Sequence, residues 1–131
     1  MNVKSAKSVL EFVHIRSYDQ LGRPCLFLIP GHEGRRYEVS IVRNNGAIHT
    51  YCRRDSDRAS DCPGSLYNTC YHSIAAVMKA ARVVGLKTAV CRDEASAYRA
   101  AKLHPGANIT KVITHPSGKE WWVVTWEGGT K

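Results

Sequence analysis

The alternation of apolar and polar residues predicts strands in the first half of the chain. Tyr37–Arg43 alternates in this way, which is typical of a strand with one buried face. Ala47–Tyr51 follows after Asn45-Gly46, a dipeptide that predicts a tight hairpin because both turn positions need a positive φ. Cys25–Ile29 is a short apolar run that ends at a proline, and it predicts a buried strand.

The segment Val9–Arg16 fits two patterns. Val9, Phe12 and Val13 are spaced as on one face of a helix, whereas the β-branched content of the segment favours a strand. We predict a strand here, and a helix stays open as the alternative.

Helical spacing occurs twice in the second half of the chain. The segment from Tyr71 to Val84 has apolar residues at intervals of three and four, and Gly85 ends it. Asp93 is suited to cap a second helix, Glu94–Leu103. The positions predicted to face the interior are Ile74, Val77, Met78 and Ala81 in the first helix and Ala95, Tyr98, Ala101 and Leu103 in the second.

Three further segments near the C-terminus have strand character. Lys87–Cys91 precedes the second helix, and Ile109–Thr114 and Trp121–Trp126 follow it as a second hairpin. Together with that helix they predict a β-α-β-β unit over about residues 87–127. Alternation places Trp121 on the opposite side of its strand from Trp122 and Trp126.

These elements predict an α+β fold in a single domain that spans residues 1–131. The first hairpin and the first helix form a ββα zinc-binding module over about residues 36–84, preceded by an additional N-terminal strand region. The C-terminal β-α-β-β unit is expected to pack against this module. A chain of this length, with 44% hydrophobic residues, can bury a core of its own.

The charge and the cysteine count narrow the class of protein. The net charge of +8 favours an anionic partner, most commonly nucleic acid, although charge can also serve solubility alone. Five cysteines, an odd number, argue against a closed disulfide framework. The first residues do not resemble a secretory signal, and no apolar run is long enough to span a bilayer. We therefore expect a cytoplasmic protein in a reducing compartment, where clustered cysteines indicate metal binding or catalysis.

A metal site is predicted in the polar stretch 52–72. The expected ligands of a Zn²⁺ ion are Cys52, Cys62, Cys70 and His72. A Cys3His set is a standard structural zinc site, and the start of the helix favours a thiolate. A bound ion would also order the charged segment 53–61, which has no apolar anchor. The alternative is that these cysteines are ordinary small buried side chains.

Other cysteines and histidines are weaker candidates for the site. Cys25 and Cys91 lie in apolar runs, as ordinary buried cysteines do. His49 is the rival fourth ligand, but alternation places it on the opposite face of its strand from Cys52.

This arrangement resembles the SWIM zinc finger over about residues 36–81. The matching residues are Tyr37-Glu38-Val39 in a strand, Cys52 after the hairpin, and Cys70-Tyr71-His72 before Ser73-Ile74-Ala75-Ala76-Val77. The first pair of the family is Cys-x-Cys, whereas here Arg54 occupies the second position and Cys62 is the replacement. The resemblance implies a closed, structural zinc site and a role in DNA binding or protein interaction, often in mobile-element and chromatin-related proteins.

The basic residues around this module are the predicted nucleic-acid contacts. They are Arg35, Arg36, Arg43, Arg53, Arg54, Arg58, Lys79 and Arg82. If they converge, they form a phosphate-binding surface with a steep salt dependence, although three aspartates bring the charge of segment 53–61 near to neutral. We predict a small zinc-binding, DNA-binding accessory or regulatory protein. The alternative is a protein–protein interaction module with no nucleic-acid role, such as an adaptor or inhibitor encoded by a phage or mobile element.

An enzyme is not predicted, and neither is a membrane partner. A catalytic zinc keeps an open coordination position, which a Cys3His set lacks. The His-x-Glu and Cys-x-x-Cys pair of a cytidine-deaminase type of site is not in the sequence.

Overall fold

The computed structural model describes residues 3–30, 35–54, 57–61 and 70–128 of the chain. The helices in these ranges are α1 (Val3–Val9), followed by a 3-10 segment (Leu10–Phe12), α2 (Tyr71–Arg82) and α3 (Glu94–Lys102). The strands are β1 (His14–Tyr18), β2 (Pro24–Pro30), β3 (Arg36–Asn44), β4 (Ala47–Arg54), β5 (Asp57–Asp61), β6 (Leu86–Cys91), β7 (Asn108–His115) and β8 (Glu120–Glu127). None of the helices in the described ranges is long and apolar enough to cross a membrane.

The hairpin of β3 and β4 confirms its prediction. Asn45 and Gly46 have φ angles of 52° and 76°, as a type I′ turn requires. The turn sets the register of the two strands, so that Val39 lies directly across from Cys52. Residues opposite each other in an antiparallel pair share a face, and the turn therefore fixes the side of the sheet on which Cys52 lies.

The described strands belong to one mixed sheet. Seven of them follow the order β1-β2-β3-β4-β7-β8-β6, and β5 pairs with the end of β4. The two halves of the chain meet where β4 and β7 run parallel, with Ala47 opposite Lys111 and Tyr51 opposite His115. The other strand pairs are antiparallel.

The continuous sheet shows that the predicted fold class is wrong. We expected an α+β fold in which a ββα zinc module, with an N-terminal strand region, packs against a separate β-α-β-β unit. Instead, the strands of both parts are neighbours in one sheet. The physical reason is that the outer edge of β4 carries backbone groups that need hydrogen-bond partners, and β7 supplies them along Ala47–Tyr51.

The N-terminal segment also differs from its prediction. The chain is helical from Val3 to Val9, and the first strand begins only at His14. Ala6 of α1 is fully buried in the core, and α1 packs against α2. This packing outweighs the weak strand preference of the β-branched residues.

Helix α2 covers one face of the sheet and forms the main core with it. Ile74 of this helix is fully buried together with Phe27 of β2 and Val39 of β3. In β8, Val123 belongs to this core, whereas its neighbour Val124 is fully buried outside it, on the opposite face. The sheet therefore has a buried layer on both faces of its C-terminal strands.

Helix α3 packs on β6, β7 and β8. Asp93 caps it, as predicted, by accepting a hydrogen bond of 2.7 Å from the backbone N–H of Ser96. The predicted inward positions are wrong, since Tyr98 is 56% and Leu103 is 75% exposed. The fully buried residue is Ala97. A small side chain at the contact allows close approach to the sheet, and the larger side chains then face solvent.

The tryptophans of β8 divide between the two faces, as alternation predicts. Trp121 is 3% exposed, belongs to the main core and lies opposite Val112 of β7. Trp122 and Trp126 are half-buried on the other face.

A pair of threonines at the junction of β4 and β7 gives a test of the packing. Thr50 is fully buried opposite Thr114, and its hydroxyl has no hydrogen-bond partner among the described residues. Thr50→Val keeps the shape and removes this hydroxyl, so we expect the free energy of unfolding to rise by about 1 kcal/mol. Thr114→Val is the matched control, because the Thr114 hydroxyl donates to the carbonyl of Lys119 at 3.2 Å. The free energy of unfolding of Thr114→Val should fall by about 1 kcal/mol. Denaturant unfolding measures the free energy of unfolding of both variants. If it changes in the same direction in the two variants, the different hydrogen bonding of the two threonine hydroxyls is contradicted.

Candidate metal centre

Two elements bring together three of the predicted zinc ligands. Cys52 lies near the end of β4, while Cys70 occupies the position just before α2 and His72 lies in the first turn of that helix. Helix α2 packs across β2, β3 and β4, which places its start over the end of the hairpin. Cys52, Cys70 and His72 are 1%, 5% and 6% exposed, so the group is buried.

The spacing of the three ligand atoms fits a tetrahedral metal ion. The two Sγ atoms and a ring nitrogen of His72 lie within 4.8 Å of one another. His72 Nδ1 is 3.6 Å from Cys52 Sγ and 3.7 Å from Cys70 Sγ. Zn–S bonds of about 2.3 Å and a Zn–N bond of about 2.0–2.1 Å at a tetrahedral angle place sulfur and nitrogen about 3.6 Å apart. The Cys52-Cys70-His72 group can therefore hold a metal ion.

Hydrogen bonding by itself explains the two sulfur–nitrogen contacts less well than a bound cation does. A ring nitrogen either accepts through one lone pair or donates one proton, so Nδ1 serves one partner well. Two sulfur atoms nevertheless lie at nearly equal distances from it. A cation between the three atoms accounts for both contacts at once.

Two aromatic contacts restrict the His72 ring. The ring of Tyr37 stacks on it with centroids 4.2 Å apart and an interplanar angle of 22°. The ring of Tyr71 also lies 4.2 Å away, tilted by 42°. These contacts keep Nδ1 near the cysteines, which lowers the entropy cost of ordering the ligand.

Two groups near Cys70 would stabilise its thiolate as a metal ligand. Its position as the N-cap of α2 places Sγ near the positive end of the helix dipole. The buried hydroxyl of Ser73 lies 3.6 Å from Sγ, where it can donate a hydrogen bond to a thiolate. Outer contacts of this kind orient metal ligands and tune their basicity.

The structure leaves the fourth predicted ligand undecided, because Cys62 lies outside the described residues. Arg54, at the position of the second cysteine in the SWIM pattern, shares a face of β4 with Cys52 and lies opposite Tyr37. A cysteine at position 54 would be on the metal side of the strand, but a guanidinium cannot bind a cation.

Cys25 and Cys91 do not join the group. Both are half-buried free thiols, and no other cysteine of the described residues belongs to the cluster. Burial raises the pKa of the Cys91 thiol, and the nearby Asp93 carboxylate raises that pKa further. This shift disfavours the thiolate, which is the form of cysteine that binds metal ions.

The predicted nucleic-acid contacts lie in separate places. Arg35, Arg36, Arg53 and Arg54 are at the metal end of β3 and β4, and Arg58 is in β5 beside that end. Arg43 is seven residues from Arg36 along β3, which corresponds to about 23 Å. Lys79 and Arg82 are in the last turn of α2. Arg82 is ten residues beyond His72, about 15 Å along the helix axis.

Arg43 and Arg53 face acidic groups. Arg43 Nη1 lies 3.7 Å from the Asp19 carboxylate and donates to the carbonyl of Pro24 at 3.4 Å. Arg53 lies opposite Glu38, a buried residue whose carboxylate pairs with Arg16 at 3.1 Å. These carboxylates lower the positive potential that either arginine offers to a polyanion.

A histidine pair on the other face of the sheet escaped the sequence analysis. His49 Nδ1 lies 2.9 Å from His115 Nε2, and the ring of Tyr51 stacks on His115 with centroids 4.7 Å apart. His49 is thus directed away from Cys52, as alternation predicted. Only the parallel pairing of β4 and β7 brings His49 and His115 together, so no local signal in the sequence could have shown the contact.

The histidine pair predicts a pH dependence of stability. Burial lowers the pKa of His115, and the charge of His49 lowers it further. A lowered pKa in the folded state means that the unfolded chain binds more protons, so stability is lost as the pH falls below the ordinary value of 6.5. We expect the melting temperature of the wild type to fall toward that of His115→Gln between about pH 7.5 and about pH 5. A difference between the two melting temperatures that stays constant or widens as the pH falls would contradict this linkage. Changes at the metal site that are common to both proteins cancel in this comparison.

No protein-family model, curated protein or solved structure matches this chain. The resemblance to the SWIM zinc finger thus stays a prediction.

Proposed function

We propose that this chain is a zinc-stabilised nucleic-acid-binding protein with an accessory or regulatory role and no catalytic activity of its own. The observation that carries the proposal is the buried Cys52-Cys70-His72 group, with its sulfur–nitrogen distances of 3.6 and 3.7 Å. Cys62 is the proposed fourth ligand. In this proposal the metal is structural, as the SWIM resemblance implies.

Zinc is the proposed ion because of the type of donors. Two thiolates and an imidazole suit zinc, whereas magnesium and calcium prefer oxygen ligands. Burial and four protein ligands would leave no coordination position for a substrate. The ion would instead supply folding free energy by joining the end of β4 to the start of α2.

Nucleic acid is the proposed partner because of the charge of the chain. The net charge is +8, and Arg35, Arg36 and Arg82 are exposed. Cations that contact phosphates release counterions, which gives such complexes their strong salt dependence. A cytoplasmic location remains part of the proposal, because the odd number of cysteines argues against a closed disulfide framework and favours a reducing compartment.

A protein partner is the second candidate function. Val42 is 50% exposed and Tyr51 is 37% exposed, and both lie on the face of β3 and β4 that α2 does not cover. Exposed apolar side chains on one sheet face favour a protein contact, as in an adaptor or inhibitor. The two candidate functions differ in salt dependence, since binding of a protein through apolar contacts is much less sensitive to ionic strength than binding of nucleic acid.

The proposed function is tested by metal analysis and by binding. Purified protein should contain about one zinc ion per chain. A labelled oligonucleotide should bind with an affinity that falls steeply as salt is raised, and heparin should retain the protein. Protein without bound metal would remove the zinc part of the proposal. If the protein binds neither DNA nor RNA at low salt, the nucleic-acid part of the proposal is refuted and the second candidate function is favoured.

A further inference from the structure

A groove lies at the sheet edge formed by β6, far from the metal ligands. It has a volume of about 450 Å³ and is lined by residues of α1, α2, β6 and β8. Three cations line it, Lys7 near the end of α1, Arg82 at the end of α2 and Lys87 in β6. Leu10 and Met78 contribute apolar surface between them.

The three cations are available to a ligand. Lys7, Arg82 and Lys87 are all exposed, and none has an ionic partner within the described part of the chain. No acidic side chain of the described residues lines the groove. Two helix C-termini lie nearby, but each carries only about half a negative charge. Three full positive charges therefore leave the groove positive and complementary to an anion.

An aromatic side chain lines the same groove. Trp126 is half-buried and lies opposite Lys87 in the pairing of β6 and β8, so both side chains belong to the sheet face away from α2 and line the groove where it reaches the β6 edge. The ring of His104 stacks on the indole with centroids 3.7 Å apart and an interplanar angle of 6°. This contact holds the indole in one orientation. Cations together with a fixed aromatic ring are the combination with which proteins commonly bind single-stranded nucleic acids.

We infer that this groove binds single-stranded nucleic acid, with Lys7, Arg82 and Lys87 on successive phosphates and Trp126 against a base. A duplex keeps its bases stacked inside, so the indole and the apolar surface of the groove would gain nothing from it. A volume of about 450 Å³ is of the size that holds a small ligand such as a nucleotide. An acidic peptide would use the cations but has no base to place against the indole. The inference rests on the proposed nucleic-acid function and places the interface at the end of α2 rather than beside the metal.

The first experiment compares two triple variants in the zinc-loaded full chain. Lys7→Ala/Arg82→Ala/Lys87→Ala removes the groove cations. Arg92→Ala/Arg99→Ala/Lys111→Ala removes three exposed cations outside the groove and changes the net charge by the same amount. The groove variant should bind oligothymidine at least about tenfold more weakly than the control, and its log–log salt slope should be smaller by about 2. Equal binding by the two triple variants overturns the inference.

The second experiment tests the contact with a base. Trp126→Leu should weaken oligothymidine binding by about 5- to 100-fold while leaving binding of an abasic strand of equal phosphate number unchanged. Circular dichroism checks that the variant is folded. If Trp126→Leu loses equal affinity for oligothymidine and for the abasic oligonucleotide, the role of Trp126 is overturned. Competition by a duplex or by polyglutamate of equal charge at the same concentration as oligothymidine overturns the single-strand assignment.

The outcome separates this inference from the proposed function. If the wild type binds no nucleic acid at all, the proposed function fails together with the inference. If the wild type binds, and Arg35→Ala/Arg36→Ala/Arg53→Ala loses affinity while the groove variant does not, the proposed function stands and the groove inference fails.

Discussion

Replacing Cys70 with serine is expected to abolish stoichiometric zinc binding and to lower the melting temperature. The thiolate of Cys70 is one of three buried ligand atoms, and a serine hydroxyl is a much poorer zinc ligand. A ligand present at about a hundred times its Kd stabilises a fold by about 3 kcal/mol, and this contribution would be lost. Metal analysis of the purified protein and thermal unfolding measure the two effects.

Cys91→Ser is the matched control for this experiment. Cys91 is a half-buried free thiol outside the metal group, so its variant should keep the metal and nearly all of the stability. A strong chelator should lower the melting temperature of the wild type toward that of Cys70→Ser and leave Cys70→Ser unchanged. A Cys70→Ser variant with the metal content and melting temperature of the wild type would refute the site.

Replacing Trp121 with alanine is expected to lower the free energy of unfolding by about 3–5 kcal/mol. Trp121 is 3% exposed in a core that also contains Cys52 and Cys70, although it lies in the last strand. Because the core and the sheet are continuous through β4 and β7, damage at Trp121 should destabilise the whole chain. Far-ultraviolet circular dichroism and metal release should then report the same, earlier transition.

Tyr98→Ala is the control for the tryptophan variant. This variant also removes a large aromatic ring, but the side chain of Tyr98 is 56% exposed. The free energy of unfolding should therefore change by no more than about 0.5 kcal/mol. Two separate transitions in Trp121→Ala, with metal release unchanged, would show that the two halves of the chain unfold independently. A loss below about 1 kcal/mol would show that Trp121 is poorly packed.

Local features of the fold could be predicted because a few residues determine each of them. Asn45 and Gly46 set the turn of the β3–β4 hairpin through their positive φ angles, and Asp93 begins α3 through a hydrogen bond to the next turn. Periodicity also separated Trp121 from Trp122 in β8. In each case the interacting groups lie within a few positions of one another in the chain.

The architecture could not be predicted in the same way because long-range pairing determines it. The parallel contact of β4 with β7 joins residues more than sixty positions apart, and nothing in either strand identifies its partner. The same pairing explains why the contact between His49 and His115 was missed. The helix at Val3–Val9 was missed because packing against α2, rather than intrinsic preference, decides its conformation.

The candidate site was more accessible to sequence reasoning than the architecture around it. Cys52 follows a hairpin of defined register, and Cys70 and His72 lie at a helix start, so residue types and element ends were enough to propose the group. The acidic partner of Arg43 was not accessible, since its contact with the Asp19 carboxylate joins β3 to the turn after β1, and only the fold brings these together.

The parallel pairing of β4 with β7 has a consequence for synthesis of the protein. A nascent chain on the ribosome completes the hairpin of β3 and β4 long before residues 111–115 emerge. Until then the edge of β4 offers free amide and carbonyl groups to any other extended chain, which is the usual starting point of aggregation. Rapid translation of the codons between β4 and β7, or a chaperone that covers this edge, would therefore raise the yield of correctly folded protein.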